Sequence, residues 1–212
     1  MTGNSGQTDR LLRRAAQGDS EGWGALVAAH RDRLRRMVAM RLDRRLQGRI
    51  DASDVIQEAY LEAWTRLAEY VRSPPMPFFL WLRFLVAQKL LTLHRHHLGR
   101  RMRDPAREIR LAGGAMPEAS SAALAARLLG NTTRPSEAAM RKELSAALQK
   151  ALSRMDGLDR EVLALRHFEQ LNRAETAQVL GIQEGTAASR YLRALKRLKE
   201  ILVQMGLGEA QL

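Results

Sequence analysis

Apolar residues recur every three to four positions along most of the chain, and strand-like alternation does not persist anywhere. That period predicts helices. Helices are expected at about 9–17 and about 20–45, the second with Trp23, Leu26, Val27, His30, Leu34, Met37 and Val38 on one side. A third spans about 53–71, with Asp51 or Ser53 as its cap. Its apolar positions are Val55, Ile56, Ala59, Tyr60, Ala63, Trp64, Leu67 and Val71. Ser73-Pro-Pro-Met-Pro77 then reads as a loop, because proline lacks an amide hydrogen and restricts the residue before it. A fourth helix is expected at about 78–100. From Asp104 to Pro135 the composition shifts to Ala, Gly, Ser and Pro, as in an extended linker, with a short helix near 119–129. Helices at about 136–155, 159–169, 173–180 and 184–204 complete the pattern. The expected fold is all-α: two small helical domains, 1–103 and 136–205, joined by the extended linker 104–135 and followed by a tail, 206–212.

Charge changes the picture. The 212 residues carry 35 Lys plus Arg against 23 Asp plus Glu, a formal net charge of +12, which favours an anionic partner, nucleic acid first and an acidic membrane surface second. No cysteine is present, so disulfides and thiolate metal sites are excluded. The N-terminus lacks the apolar core of a signal peptide, and no uncharged apolar run approaches the ~18 residues that span a bilayer. A soluble cytoplasmic protein without membrane insertion is expected.

The basic charge is concentrated where a helix-turn-helix can be read. Gly181 supplies a tight turn after the helix ending at Leu180, and the small Ala177 lets the next helix cross closely. In that next helix Ala187, Tyr191, Ala194, Leu195, Leu198 and Leu202 keep the spacing of a core-facing stripe. Gly185 stands in its first turn. Thr186, Ser189, Arg190, Arg193, Lys196 and Arg197 fall on the other side, where hydroxyls and guanidinium groups suit phosphates and base edges. A solvated basic face is the plainer alternative, and it leaves the turn glycine without a reason.

Residues 51–69 are the opposite in sign: Asp51, Asp54, Glu58, Glu62 and Glu69 against Arg66 alone. Asp54, Gln57, Glu58 and Leu61 lie off the core stripe, and such a face would repel phosphate, so it suits a basic protein surface. The alternative is a solubilising charged face. In the fourth helix Phe79, Trp81, Phe84, Gln88, Thr92 and Arg95 precede or enter a tract with seven Lys or Arg and one Asp between Arg83 and Arg107. Aromatic groups followed by cations can stack unpaired bases while holding their backbone. Trp81 and Phe84 could equally be core, and at this level both readings stand. His94, His96 and His97 scatter around a helix axis in a cationic neighbourhood, which argues against a metal. No paired carboxylates, glycine-rich phosphate loop or nucleophile–base pattern suggests an enzyme or a cofactor.

Taken together, these blocks resemble the bacterial RNA polymerase sigma factors of the sigma-70 family, in the extracytoplasmic-function group. Asp51-Ala-Ser-Asp-Val-Ile-Gln-Glu-Ala-Tyr-Leu-Glu-Ala-Trp64 is similar to region 2.2, and Phe78-Phe-Leu-Trp-Leu-Arg-Phe-Leu-Val-Ala87 with the basic tract to regions 2.3 and 2.4. Leu158-Asp-Arg-Glu-Val-Leu-Ala-Leu-Arg-His-Phe-Glu169 and the helix-turn-helix resemble region 4. The resemblance implies a non-catalytic subunit that directs promoter-specific initiation. It implies docking of Asp54, Gln57, Glu58 and Leu61 on the β′ clamp helices of core RNA polymerase, and a contact with the β flap. It assigns Phe79, Trp81, Phe84, Gln88, Thr92 and Arg95 to the −10 element. Gly185, Thr186, Ser189, Arg190, Arg193 and Lys196 go to the −35 element of promoter DNA. Many relatives also bind an anti-sigma factor. One departure is local: Lys89-Leu-Leu-Thr92 stands where the family usually has Asn-Leu-x-x-Asp. The competing readings are a helix-turn-helix regulator that needs no polymerase and a helical adaptor for acidic proteins or lipid. The regulator needs neither the acidic helix nor the aromatic and basic one, and the adaptor gives no reason for the turn glycine Gly181.

Overall fold

The computed structural model describes residues 5–97, 108–111, 114–129 and 138–206. The expected linker stretches 104–107, 112–113 and 130–135 and the tail residues 207–212 lie outside the described residues. The chain divides into two compact units: Met1–Val38 with Arg44–Arg103, and Ala39–Asp43 with Asp104–Leu212.

The first unit contains α1 (Ser5–Ala16), most of α2 (Ser20–Arg41), α3 (Ala52–Arg72) and α4 (Phe78–His97). Asp51 caps α3, its side chain accepting from the Ser53 amide at 2.8 Å. That bond holds the Asp51 carboxyl below the usual carboxylate range, as a cap at the positive end of a helix should. The inward stripe of α3 is Val55, Ile56, Ala59, Ala63, Leu67 and Tyr70. Each large apolar side chain so buried contributes about 1.5–3 kcal/mol of transfer free energy. The stripe meets α4 and α1, and Leu12 and Ala15 of α1 are buried. Trp64, expected inside, is 36% exposed and lies against Trp23 with ring centroids 5.5 Å apart. Val71 is only half-buried because Tyr70 takes the inward position. The proline-rich loop after α3 is tied down: the Tyr70 hydroxyl donates to the Met76 carbonyl at 2.9 Å.

The second unit contains an antiparallel hairpin, β1 (Glu108–Leu111) and β2 (Gly114–Pro117), and five α-helices among its described residues. These are α5 (Ser121–Leu128), α6 (Ala138–Ser153), α7 (Gly157–Leu163), α8 (Arg173–Leu180) and α9 (Glu184–Gln204). The described part of the segment expected to run extended is therefore structured. Its short helix is α5, and Leu124 and Ala125 are buried with Leu148, Ala151 and Leu152 of α6. The adjacent apolar residues Leu124 and Ala125 have a partner to bury against, so this stretch packs instead of staying solvated.

α7 continues into a π-helical turn, Ala164–Phe168, with the Glu169 amide donating to the Ala164 carbonyl at 2.9 Å. Gln170 follows in the left-handed region, φ 57°. The chain is thereby redirected into α8, which opens with a capping box. The Asn172 side chain accepts from the Glu175 amide, and the Glu175 carboxylate accepts from the Asn172 amide. Buried charge is also paired in this unit. Arg41 is enclosed by Glu161 and Glu169, 2.6 Å from the latter. Burial alone would lower the Arg41 pKa, but the two carboxylates outweigh it and raise it above its ordinary value.

Candidate functional site

The helix-turn-helix is formed by α8 and α9. Gly181 adopts φ 67°, ψ 34°, a conformation that costs glycine no Cβ clash, and the Ile182 amide closes the turn on the Ala177 carbonyl at 3.0 Å. Ala177 is buried under the crossing helix. The core face of α9 is Ala187, Ala194, Leu198, Ile201 and Leu202. Tyr191 is half-buried and Leu195 is 40% exposed, so Leu195 does not belong to the core stripe. The reason is phase: one residue past Ala194, Leu195 rotates out of the narrow sector that the small α9 contact covers.

Outside that sector Gly185, Thr186, Ser189, Arg193 and Lys196 are exposed and Arg190 is half-buried. Thr186, Arg190, Arg193 and Arg197 fall at i, i+4, i+7 and i+11, which aligns them on one edge. The Ser189 hydroxyl donates back to the Gly185 carbonyl at 3.0 Å, leaving its oxygen lone pairs outward. Behind this surface the Arg166 guanidinium donates to the Leu171 carbonyl and faces the Tyr191 ring at 5.5 Å. Arg166, Arg173, Thr176, Ala188 and Leu192 help line a cavity of about 150 Å³ between α8 and α9.

On α3 of the first unit, Asp54, Gln57, Glu58 and Leu61 are all exposed, Leu61 by 70%. Exposed Trp64 stands one turn from Leu61, adding an aromatic edge that the periodicity had put in the core. The acidic charge is less free than the composition suggests. Glu62 is held by Lys89 of α4 at 3.0 Å and by Arg66 at 3.1 Å. The hydrogen bond from Lys89 is the chief reason its carboxyl lies below the usual range. Asp51 is occupied as a cap, which leaves Asp54, Glu58 and Glu69 as exposed carboxylates of this helix.

The α4 surface corrects part of the expectation. Phe79 and Trp81 are 4% and 5% exposed, so neither forms a base-stacking platform. Trp81 is stacked on Tyr70 with centroids 4.4 Å apart, and the Arg33 guanidinium covers the Phe79 ring at 3.6 Å. Every residue from Phe78 to Ala87 except half-buried Phe84 is interior, because helices surround the start of α4. Gln88, Thr92 and Arg95 are exposed, and these three remain as a polar and basic edge. Among the described residues no cluster of His, Asp and Glu could hold a metal ion, and no helix is long and apolar enough to cross a membrane.

The periodicity did not reveal the Glu62–Lys89 pair or the Tyr70–Met76 bond. Asn172 three residues before Glu175 was a readable sign of the α8 start.

Comparison with known proteins adds two independent matches. Sigma-70 region 2 matches residues 26–100, and Sigma-70, region 4 matches residues 145–198. The chain is 28% identical over 205 residues to the RNA polymerase sigma factor CnrH of Cupriavidus metallidurans, covering 94% of this chain and 96% of that protein. It is 28% identical over 196 residues to the probable RNA polymerase sigma factor RfaY of Xanthomonas campestris pv. campestris. There it covers 91% of this chain but spans only 43% of the relative's length. In fold it resembles CnrH solved with the cytosolic domain of CnrY, with a TM-score of 0.56 at 23% identity, covering 93% of this chain and 98% of that one.

Proposed function

The chain belongs to the sigma-70 family of RNA polymerase sigma factors, in its extracytoplasmic-function group, and on that premise we propose how its surfaces divide the work. α3 docks on the core enzyme through Asp54, Gln57, Glu58 and Leu61, with Trp64 extending the apolar part of the contact. Two exposed carboxylates beside an exposed leucine suit a basic partner surface with an apolar centre. α9 reads duplex DNA at the −35 element. Arg190 and Arg193 are long enough to reach base edges from a helix in the major groove, while Thr186, Ser189 and Lys196 suit phosphates. Gln88, Thr92 and Arg95, with the proline-rich loop, hold the opened −10 strand. Phe79 and Trp81 support that surface from beneath. Unstacking a base costs a few kcal/mol, which capture of the extruded base offsets.

The chain contributes binding and positioning, and the polymerase contributes the chemistry. Its working place is then the cytoplasm, with the first unit carrying the core-docking and −10 surfaces and the second unit the −35 surface. The β flap is a further contact on the polymerase, and an anti-sigma factor is a natural regulator, since the similar CnrH is solved with the cytosolic domain of CnrY.

One observation carries this reading: an exposed acidic and apolar stripe on α3 in a chain whose α9 edge is basic. A DNA-binding regulator acting alone needs only the second. The test is transcription from promoters recovered with the protein, with core polymerase and either the wild-type chain or none. Promoter-specific transcripts are expected only with both. Promoter occupancy that is equally tight and specific without core enzyme would favour the stand-alone regulator.

A further inference from the structure

The docking helix and the DNA-facing helix of the first unit share one ion pair, and it involves the residue at which this chain departs from its family. Glu62 lies one turn beyond Glu58 on the acidic stripe of α3. Its two carboxylate oxygens are divided: one is 3.0 Å from Lys89 Nζ and the other 3.1 Å from Arg66 Nη1. Lys89 sits on α4 between Gln88 and Thr92, on the edge assigned above to the opened strand. Arg83, the nearest cation before it on α4, is buried, and Arg95 lies more than a turn beyond. Lys89 is therefore the cation best placed to meet a phosphate there, yet it faces a carboxylate. The side chains of Lys89 and Glu62 are 32% and 30% exposed, a setting in which solvent keeps an ion pair weak enough to exchange.

We infer that Glu62 is a positioning residue that withholds Lys89 from DNA while α3 is unoccupied and releases it when a basic partner docks. A cation of the partner, brought over Asp54 and Glu58, shares the Glu62 carboxylate. Lys89 then turns to a phosphate of the opened strand. One ion pair is exchanged for two, so docking and strand capture favour each other through two neighbouring side chains. By linkage, single-stranded DNA must in return strengthen docking. This rests on the assignment of α3 to core polymerase.

The test measures binding of a labelled single-stranded oligonucleotide across a salt series, using the full chain alone and the full chain with core polymerase. For the chain alone, Glu62→Gln is expected to tighten binding several-fold and to steepen the slope of log K against log salt by about 0.7, the signature of one further phosphate contact. Adding Lys89→Gln to it should remove that gain, whereas adding Arg66→Gln should keep it. Lys89→Gln by itself should leave the free chain unchanged and flatten the slope only in the polymerase complex. An unchanged slope for Glu62→Gln, or a gain that depends on Arg66 instead of Lys89, overturns the inference. Failure of the wild-type chain to bind core polymerase would instead overturn the docking assignment, and the measurements on the free chain would still decide whether Glu62 restrains Lys89.

Discussion

α4 and α9 are both helices with aromatic and basic residues, yet the first is enclosed where the second is open. From Phe78 to Ala87 α4 is interior apart from half-buried Phe84, while α9 buries five residues along its 21-residue length. The difference follows from what each helix has to cover. α4 begins with Phe78, Phe79, Leu80, Trp81 and Leu82, too much apolar surface for one side of a helix, so neighbouring elements close around it. α9 has small alanines at 187 and 194 on its contact face, which brings its backbone close to the core and leaves its long cations outside. An aromatic residue near DNA-binding residues in sequence is thus no guide to stacking. The nature of the facing side chain decides.

Substitutions at matched positions can break that contrast. Trp81→Ala should destabilise the first unit by about 3–5 kcal/mol, measured by urea unfolding, because it removes a buried ring stacked on Tyr70. A near-neutral result would return Trp81 to the surface and to the bases. Reversing charge at exposed Asp54 and Glu58 together should leave helical content intact and weaken core-polymerase binding by about 2–5 kcal/mol, read by co-purification and competition. Undiminished binding would remove α3 from the docking surface. Arg193→Ala, at an exposed position, should leave unfolding within about 0.5 kcal/mol of wild type. It should cost about 1–3 kcal/mol in promoter binding, and relax selection at one base pair if the guanidinium reads an edge. A uniform loss across −35 variants would assign it to phosphate.

A separate effect concerns pH. Burial pushes the Tyr60 and Tyr70 hydroxyls up to about 12. Their neutral forms are therefore favoured by folding. That contribution is fully present below the ordinary value of 10 and is lost as the pH climbs from there toward 12. Thermal unfolding of the first unit should show a fall above pH 10 that Tyr60→Phe and Tyr70→Phe flatten. A fall of the same size in the double variant would place its origin elsewhere.

Much of the site could be read from the chain. The helix-turn-helix rested on a glycine whose left-handed conformation no neighbour could share, and on cations spaced for one edge of α9. The acidic stripe of α3 was legible for the same reason, since Asp54, Gln57, Glu58 and Leu61 fall between its inward positions. Phe79, Trp64 and Leu195 were misplaced and Trp81 was left between two readings; each lies at the border of an apolar sector or in a run without polar relief. There the helical period has no contrast with which to choose a side.

The chain by itself determined where helices start and stop and which sign of charge each outward edge carries. Those properties depend on residues within about one turn of each other, on caps and on φ. Only the tertiary structure decided that Trp81 lies against Tyr70, that Glu62 is engaged by Lys89, and that Arg41 is enclosed by Glu161 and Glu169. Burial and ion pairing are settled by the surface a side chain meets, and that surface comes from residues far along the chain, beyond the reach of any local period.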